Sequence, residues 1–269
     1  MRTLQLPSGR QMPVLGQGTW RMGADRAQRQ AEIEALRLGI ELGMTMIDTA
    51  EAYASGGAEE VVAEAIAGRR DEVFLVSKVS PDNATRQGTI THCEASLRRL
   101  KTDHLDIYLL HWPSAIPFAE TLEAFRQLKE SGKIRDYGVS NFDVRQMEEA
   151  RALPCGDIIA TNQVLYNLVE REVERDILPW CLEHGVPIQA YTPIGRGRML
   201  AHPALKEIAS RHNATPAQIA LAWLLQQPNV AAIPKASNPE HVRENRAALD
   251  IKLTEEDLAE IDRAFPPQS

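Results

Sequence analysis

Two hydrophobic rhythms alternate along this chain. Short apolar runs, bounded by Gly, Pro or charge, read as buried strands near 14–18, 44–48, 73–78, 105–110, 136–140, 158–163, 187–191 and 230–234. Between them apolar residues return at spacings of three and four, which predicts helices. Ile33, Leu36 and Ile40 mark one over 31–42, with Gly43 as its stop. Ile90, Cys93, Leu97 and Leu100 mark another over 89–100, and Leu122, Phe125 and Leu128 a third over 118–128. Similar patterns predict helices at 59–67, 143–152, 172–184, 203–212, 215–227, 238–248 and 255–265, with Thr215 and Pro216 as an N-cap followed by proline. Ahead of the alternation, Leu4–Leu6, a turn at Pro7–Arg10 and Gln11–Leu15 predict a hairpin.

Eight strands alternating with helices, with no linker or shift in composition, predict one α/β domain over residues 1–269. The arithmetic is that of a (β/α)8 TIM barrel, with the N-terminal β-hairpin closing its bottom and a short C-terminal tail. An open doubly wound sheet is the competing architecture. Against it, Gly16-Gln17-Gly18 lacks the third glycine of a dinucleotide-binding turn, since Gly23 comes two residues late.

Composition narrows the function. With 43% hydrophobic and 25% charged residues the chain is a globular type, and its net charge of −7 argues against a nucleic-acid partner. Cys93, Cys155 and Cys181 are odd in number and form no C-x-x-C pair, which predicts reduced thiols and a cytoplasmic protein. No leader-like segment opens the chain, and Gln226, Gln227 and Pro228 interrupt its most apolar stretch, so no membrane partner is expected. The histidines lack paired metal spacing, so no metal is expected either.

The chemistry lies where the apolar runs end. Asp48 follows Met44–Ile47 with Tyr53 just beyond, Lys78 follows Val73–Ser77, and His111 follows Ile107–Leu110. Parallel strands would bring these four groups together at their carboxyl ends. A phenol is a weak acid; an adjacent ammonium is expected to lower its pKa and ease proton delivery to a developing alkoxide. Asp48 would hold the lysine charged, and a neutral His111 would orient a carbonyl oxygen. Such a set lacks only a hydride, which a cofactor must supply. Ser140, Asn141 and Gln163 at later strand ends suit a carboxamide, and Tyr191 offers a face for stacking. The loops after the last two strands carry Thr192, Pro193, Ile194, Gly195 and Arg196, then Lys235, Ala236, Ser237 and Asn238. Their N–H groups and cations suit phosphates.

The words Gly-Gln-Gly-Thr-Trp (16–20), Asp-Thr-Ala-Glu-Ala-Tyr (48–53), Ser-Lys (77–78), Leu-Leu-His-Trp (109–112), Gly-Val-Ser-Asn (138–141), Asn-Gln (162–163), Ala-Tyr-Thr-Pro-Ile-Gly (190–195) and Ile-Pro-Lys (233–235) resemble the aldo-keto reductase superfamily, in family order over nearly the whole chain. The resemblance implies a monomeric barrel that binds NADPH without a Rossmann motif. It implies Tyr53 as proton donor, tuned by Asp48 and Lys78, with His111 orienting a small carbonyl substrate. Gly18, Thr19, Trp20, His241, Glu244 and Asn245 join the implied cofactor contacts. Trp20 and Trp112, beside Tyr53 and His111, are the implied substrate walls. The compact form with both tryptophans looks most like bacterial branches that reduce methylglyoxal and other small aldehydes. A redox-sensing regulatory subunit with little turnover is the alternative the resemblance leaves.

Two positions depart from the family's pattern. Ala236 stands where NADPH-binding members usually have serine, and His241 where they have arginine, while Lys235, Arg243 and Arg246 remain nearby. NADPH is therefore expected with weaker discrimination against NADH. The chain also stops soon after its last predicted helix, which is expected to leave the substrate pocket open.

Overall fold

Complete burial of both faces gives the strands their continuous apolar runs. In β5 (Phe74–Val79) and β6 (Leu105–Leu110) every residue is buried, as parallel strands covered by helices require. The computed structural model describes residues 1–267. Its main sheet also contains β3 (Gly16–Gly18), β4 (Met46–Asp48), β7 (Ile134–Ser140), β8 (Asn162–Leu165), β9 (Ile188–Tyr191) and β10 (Val230–Ala232), and each strand pairs in parallel with its neighbours in sequence. The first and last strands close the barrel. Leu15 bridges Ala232 in parallel, Ala232 N–H donates to Val14 O at 2.8 Å, and Gly18 N–H donates to Pro234 O at 3.0 Å. The closure is tight enough to require glycine at 18, because a Cβ there would stand 2.7 Å from the Ile233 carbonyl oxygen.

The hairpin forms from β1 (Thr3–Gln5) and β2 (Gln11–Pro13), with Leu4 opposite Met12. It stoppers the amino-terminal end of the barrel. Leu6 and Met12 pack with the inward-facing Met46, Phe74, Val76, Ile107 and Leu109, and Arg10 reaches the carboxylates of Asp106 at 2.5 Å and Asp136 at 3.2 Å. The opposite, carboxyl end stays open.

Around the sheet lie α1 (Arg29–Glu41), α2 (Gly57–Ala65), α3 (Arg86–Leu100), α4 (Phe118–Glu130), α5 (Val144–Arg151), α6 (Ile177–Glu183), α7 (Pro203–Arg211), α8 (Pro216–Gln226), α9 (Pro239–Ala247) and α10 (Glu255–Ala264). Their starts are written locally. Reciprocal side-chain and backbone bonds link Asp143 with Gln146, Thr215 with Gln218 and Thr254 with Asp257, satisfying first-turn donors. The helix expected over 172–184 is shorter. Glu172–Glu174 makes only a 3₁₀ turn, and α6 starts at Ile177. Pro179 explains it: a helix begun at 172 would drive the proline ring into the carbonyl four residues back, whereas near a helix start no bond is lost.

Along β5 the side chains alternate. Val76 faces the barrel interior, whereas Leu75 packs in the outer core beneath the helices. Lys78 falls on the inward side, near the open end.

Candidate active site

Lys78 is the pivot of the open end. Its side chain has no exposure, and its ammonium donates to Asp48 Oδ1 at 2.6 Å and to the Thr49 carbonyl at 2.9 Å, with Tyr53 Oη 3.5 Å away. Asp48 is held from both sides, since Gln163 Nε2 donates to its other oxygen at 2.7 Å. Burial works against the lysine's charge, yet Asp48 and Tyr53 outweigh it and its pKa rises. The Tyr53 pKa rises as well, because burial outweighs the opposing pull of Lys78 and Asp48 adds to the rise. The expected lowering of the phenol is thus reversed in sign. Both groups keep their protons, and Tyr53 stands as an acid beside a cation.

His111 completes the floor of the cleft. Burial, then Lys78, press its pKa down to about 2, so the ring is neutral at ordinary pH. Its Nδ1 is buried with no hydrogen-bond partner among the described residues. An unpaired buried acceptor is less costly than an unpaired N–H, which places the proton on Nε2. The ring stacks on Trp112 at 3.7 Å between centroids and meets Tyr53 edge-on at 5.5 Å.

These groups line a cleft of about 480 Å³. Along one wall Ser140 Oγ donates to Gln163 O at 2.7 Å, Asn141 Nδ2 to Ser140 Oγ at 3.0 Å, and Tyr191 Oη to Asn141 Oδ1 at 2.9 Å. The far end is cationic. Arg21 and Arg196 lie over the Trp20 ring at 4.4 and 4.8 Å. Lys235 has its pKa lowered, chiefly by burial, with Glu32 opposing and Arg21 adding to the lowering. No carboxylate among the described residues pairs with Arg21, Arg196 or Lys235 within 4.0 Å, so three cations face the cleft without ion-pair partners. A polar amide wall, an aromatic face and an unneutralised cationic end suit an elongated anionic cofactor bearing a carboxamide.

Residues 14–265 match the model of the aldo/keto reductase family. The chain belongs to the aldo/keto reductases. It is 50% identical over 270 residues to the methylglyoxal reductase YeaE of Escherichia coli K12, covering 98% of this chain and 95% of that one. It is 32% identical to the glyoxal reductase of Bacillus subtilis 168, covering 97% and 91%. A crystal structure of an aldo/keto reductase from Klebsiella pneumoniae, in complex with NADP and acetate, superposes with a TM-score of 0.97 at 50% identity, covering 99% of this chain and 96% of that one.

For this aldo/keto reductase, the cleft gathers most of the residues singled out in sequence. Gly18, Thr19, Trp20, Asp48, Tyr53, His111, Trp112, Ser140, Asn141, Gln163, Tyr191, Thr192, Pro193, Ile194, Arg196 and Lys235 line it, and Lys78 sits directly behind. Gln163 spends its amide N–H on Asp48, and a second contact runs to Gln189 Oε1 at 3.1 Å. Gly195, Ala236, Ser237, Asn238, His241, Glu244 and Asn245 are not part of the wall. Ser237 Oγ accepts from Lys235 Nζ at 2.7 Å, which puts a hydroxyl beside the lysine although position 236 is alanine. Asn238 caps α9 through Glu240 N–H. Arg246, a candidate substitute cation, is committed to Asp250 and the Leu42 carbonyl. Arg21 and Ile233 line the cleft without having been singled out. A basic residue right after Trp20 was the available signal for Arg21; for Ile233 it was its place in the Ile-Pro-Lys word at 233–235. Among the described residues no cluster suits a metal ion, and no helix is long and apolar enough to cross a membrane.

Proposed function

We propose that this aldo/keto reductase reduces small aldehydes and ketones, methylglyoxal among them, to alcohols with NADPH. The observation that carries the proposal is the buried Lys78 ammonium, paired with Asp48 and set beside the protonated Tyr53 at the floor of an open cleft. The substrate class is supported by the relatives named methylglyoxal reductase and glyoxal reductase. Bound NADPH would supply the hydride. Ser140, Asn141 and Gln163 would hold its carboxamide, Tyr191 its ring face, and Arg21, Arg196 and Lys235 its phosphates. The Lys235–Ser237 pair would stand toward a 2′-phosphate, and NADH would be accepted less well.

The protein's own groups divide the remaining work. His111 donates Nε2–H to the substrate oxygen and aims it at Tyr53. As negative charge develops on that oxygen, Tyr53 gives up its phenolic proton. Lys78 stabilises the phenolate that remains, and Asp48 keeps the lysine in place. We propose the protein as a single domain acting as a monomer; the unpaired cysteines support a cytoplasmic setting. The test is an initial-rate assay of NADPH oxidation over methylglyoxal, glyoxal, aromatic aldehydes and sugar ketones, repeated with NADH. Turnover of the small dicarbonyls with a higher kcat/KM for NADPH is expected. Absence of turnover on every carbonyl, or an equal kcat/KM with NADH, would contradict the proposal in its first or second part.

A further inference from the structure

Immediately after Tyr53 the backbone runs through three left-handed residues: Ala54 (φ 50°, ψ 36°), Ser55 (φ 53°, ψ 43°) and Gly56 (φ 91°, ψ −8°). Alanine and serine are disfavoured there, and such a turn persists only where its surroundings hold it. Behind it lies Glu59, a carboxylate with no exposure that does not face the cleft. Both of its oxygens are engaged. Ser77 Oγ donates to Oε1 at 2.6 Å, and Arg99 Nε donates to Oε2 at 2.6 Å. Arg99 is fixed further by donating to Ser96 Oγ at 3.2 Å. Its stem lies flat against the turn, since a Cβ on Gly56 would stand 2.6 Å from Arg99 Cδ and 2.7 Å from Nε.

Ser77 is the residue before Lys78 on β5, and Gly56 ends the turn that begins at Tyr53. One buried carboxylate therefore bonds directly to the strand that carries the ammonium and, through Arg99, reaches the turn that carries the phenol. The gap it spans is sensitive. Lys78 Nζ and Tyr53 Oη are 3.5 Å apart, already at the long limit of a hydrogen bond, so a small shift of the turn removes the contact. Replacing such an ion pair by apolar side chains of similar volume is often neutral for stability, so stability alone is a weak reason for the charge on the buried Glu59.

We propose that Glu59 and Arg99 are positioning residues: their ion pair clamps the left-handed turn to β5 and so sets the distance between the Tyr53 phenol and the Lys78 ammonium. This rests on Tyr53 as the proton donor. Around the phenol stand Asp48 from β4, Lys78 from β5, His111 after β6 and Tyr191 from β9. Of these only Lys78 pulls the phenol's pKa down. Loosening the clamp would weaken that pull, slow proton delivery and move the loss of the phenolic proton to higher pH.

The experiment compares full-length wild type, Arg99→Ala and Tyr53→Phe by kcat, KM for methylglyoxal, NADPH affinity from fluorescence titration, and the pH dependence of kcat. Arg99→Ala is expected to lower kcat by about tenfold to hundredfold, as a misplaced catalytic group does, with KM and NADPH affinity little changed and the alkaline limb of kcat shifted upward. If that variant does not fold, Arg99→Met, which keeps a stem of similar volume beside Gly56 but cannot donate to Glu59, carries the same expectation. An unchanged kcat, or a loss shared by kcat, KM and NADPH affinity with the alkaline limb unmoved, overturns the clamp. Full turnover by Tyr53→Phe would instead overturn the proton donor itself.

Discussion

His111 shows how one residue's surroundings set its use. Its ring is neutral because burial and the neighbouring Lys78 hold its pKa down at about 2. In the unfolded chain a histidine binds its proton near pH 6.5. Below that pH the unfolded state is protonated at this site and the folded state is not, so folded stability falls as pH falls, over the window from about 6.5 down to 2. The slope approaches about 1.4 kcal/mol per pH unit. Urea unfolding at pH 7.5 and pH 5 should show wild type losing about 2 kcal/mol more than His111→Gln across that interval. Equal losses would mean that the ring is protonated in the folded protein. At this scale the four polar groups at the ends of apolar runs were legible, because Asp48, Tyr53, Lys78 and His111 are residue types a buried strand end does not require. The sign of the Tyr53 shift was not. It depends on how deeply the phenol is buried, which only tertiary packing sets, and burial outweighs the ammonium.

Among the elements, the hairpin and the turn after β4 do the least expected work. The hairpin was legible from its turn, but its depth was not. Met12 has no exposure and packs with Met46, Val76, Ile107 and Leu109 inside the barrel. Met12→Ala should therefore cost about 2–5 kcal/mol, as truncation of a core side chain does. Chemical denaturation would measure it, and a loss below about 1 kcal/mol would mean that the hairpin only caps the barrel and does not fill it. Most helices fell where their apolar stripes and caps put them. The 172–184 helix was overdrawn because periodicity continued through a region where Pro179 fixes the start. The left-handed turn at Ala54–Gly56 left no trace in sequence beyond Gly56, since alanine and serine give no sign that they will be held there.

For the whole molecule, the order of strands and the end that carries chemistry were readable from the alternation of patterns. Closure of the sheet was implied by the count of strands, but its means, the bonds from Ala232 to Val14 and Gly18 to Pro234, was not. The two halves of the cleft differ in the same way. The amide wall and Tyr191 come from strand ends and were visible. Around Lys235 the substituted Ala236 and His241 were visible too, but not the hydroxyl of Ser237 placed beside the lysine. In the mechanism we propose, what unites the halves is a proton delivered by Tyr53 to a carbonyl oxygen held at the floor of the cleft. Replacing that one oxygen atom's source tests it. Initial rates of NADPH oxidation with methylglyoxal should fall by at least about a hundredfold in Tyr53→Phe, while NADPH still quenches protein fluorescence with wild-type affinity. Retention of wild-type kcat by that variant would contradict the mechanism.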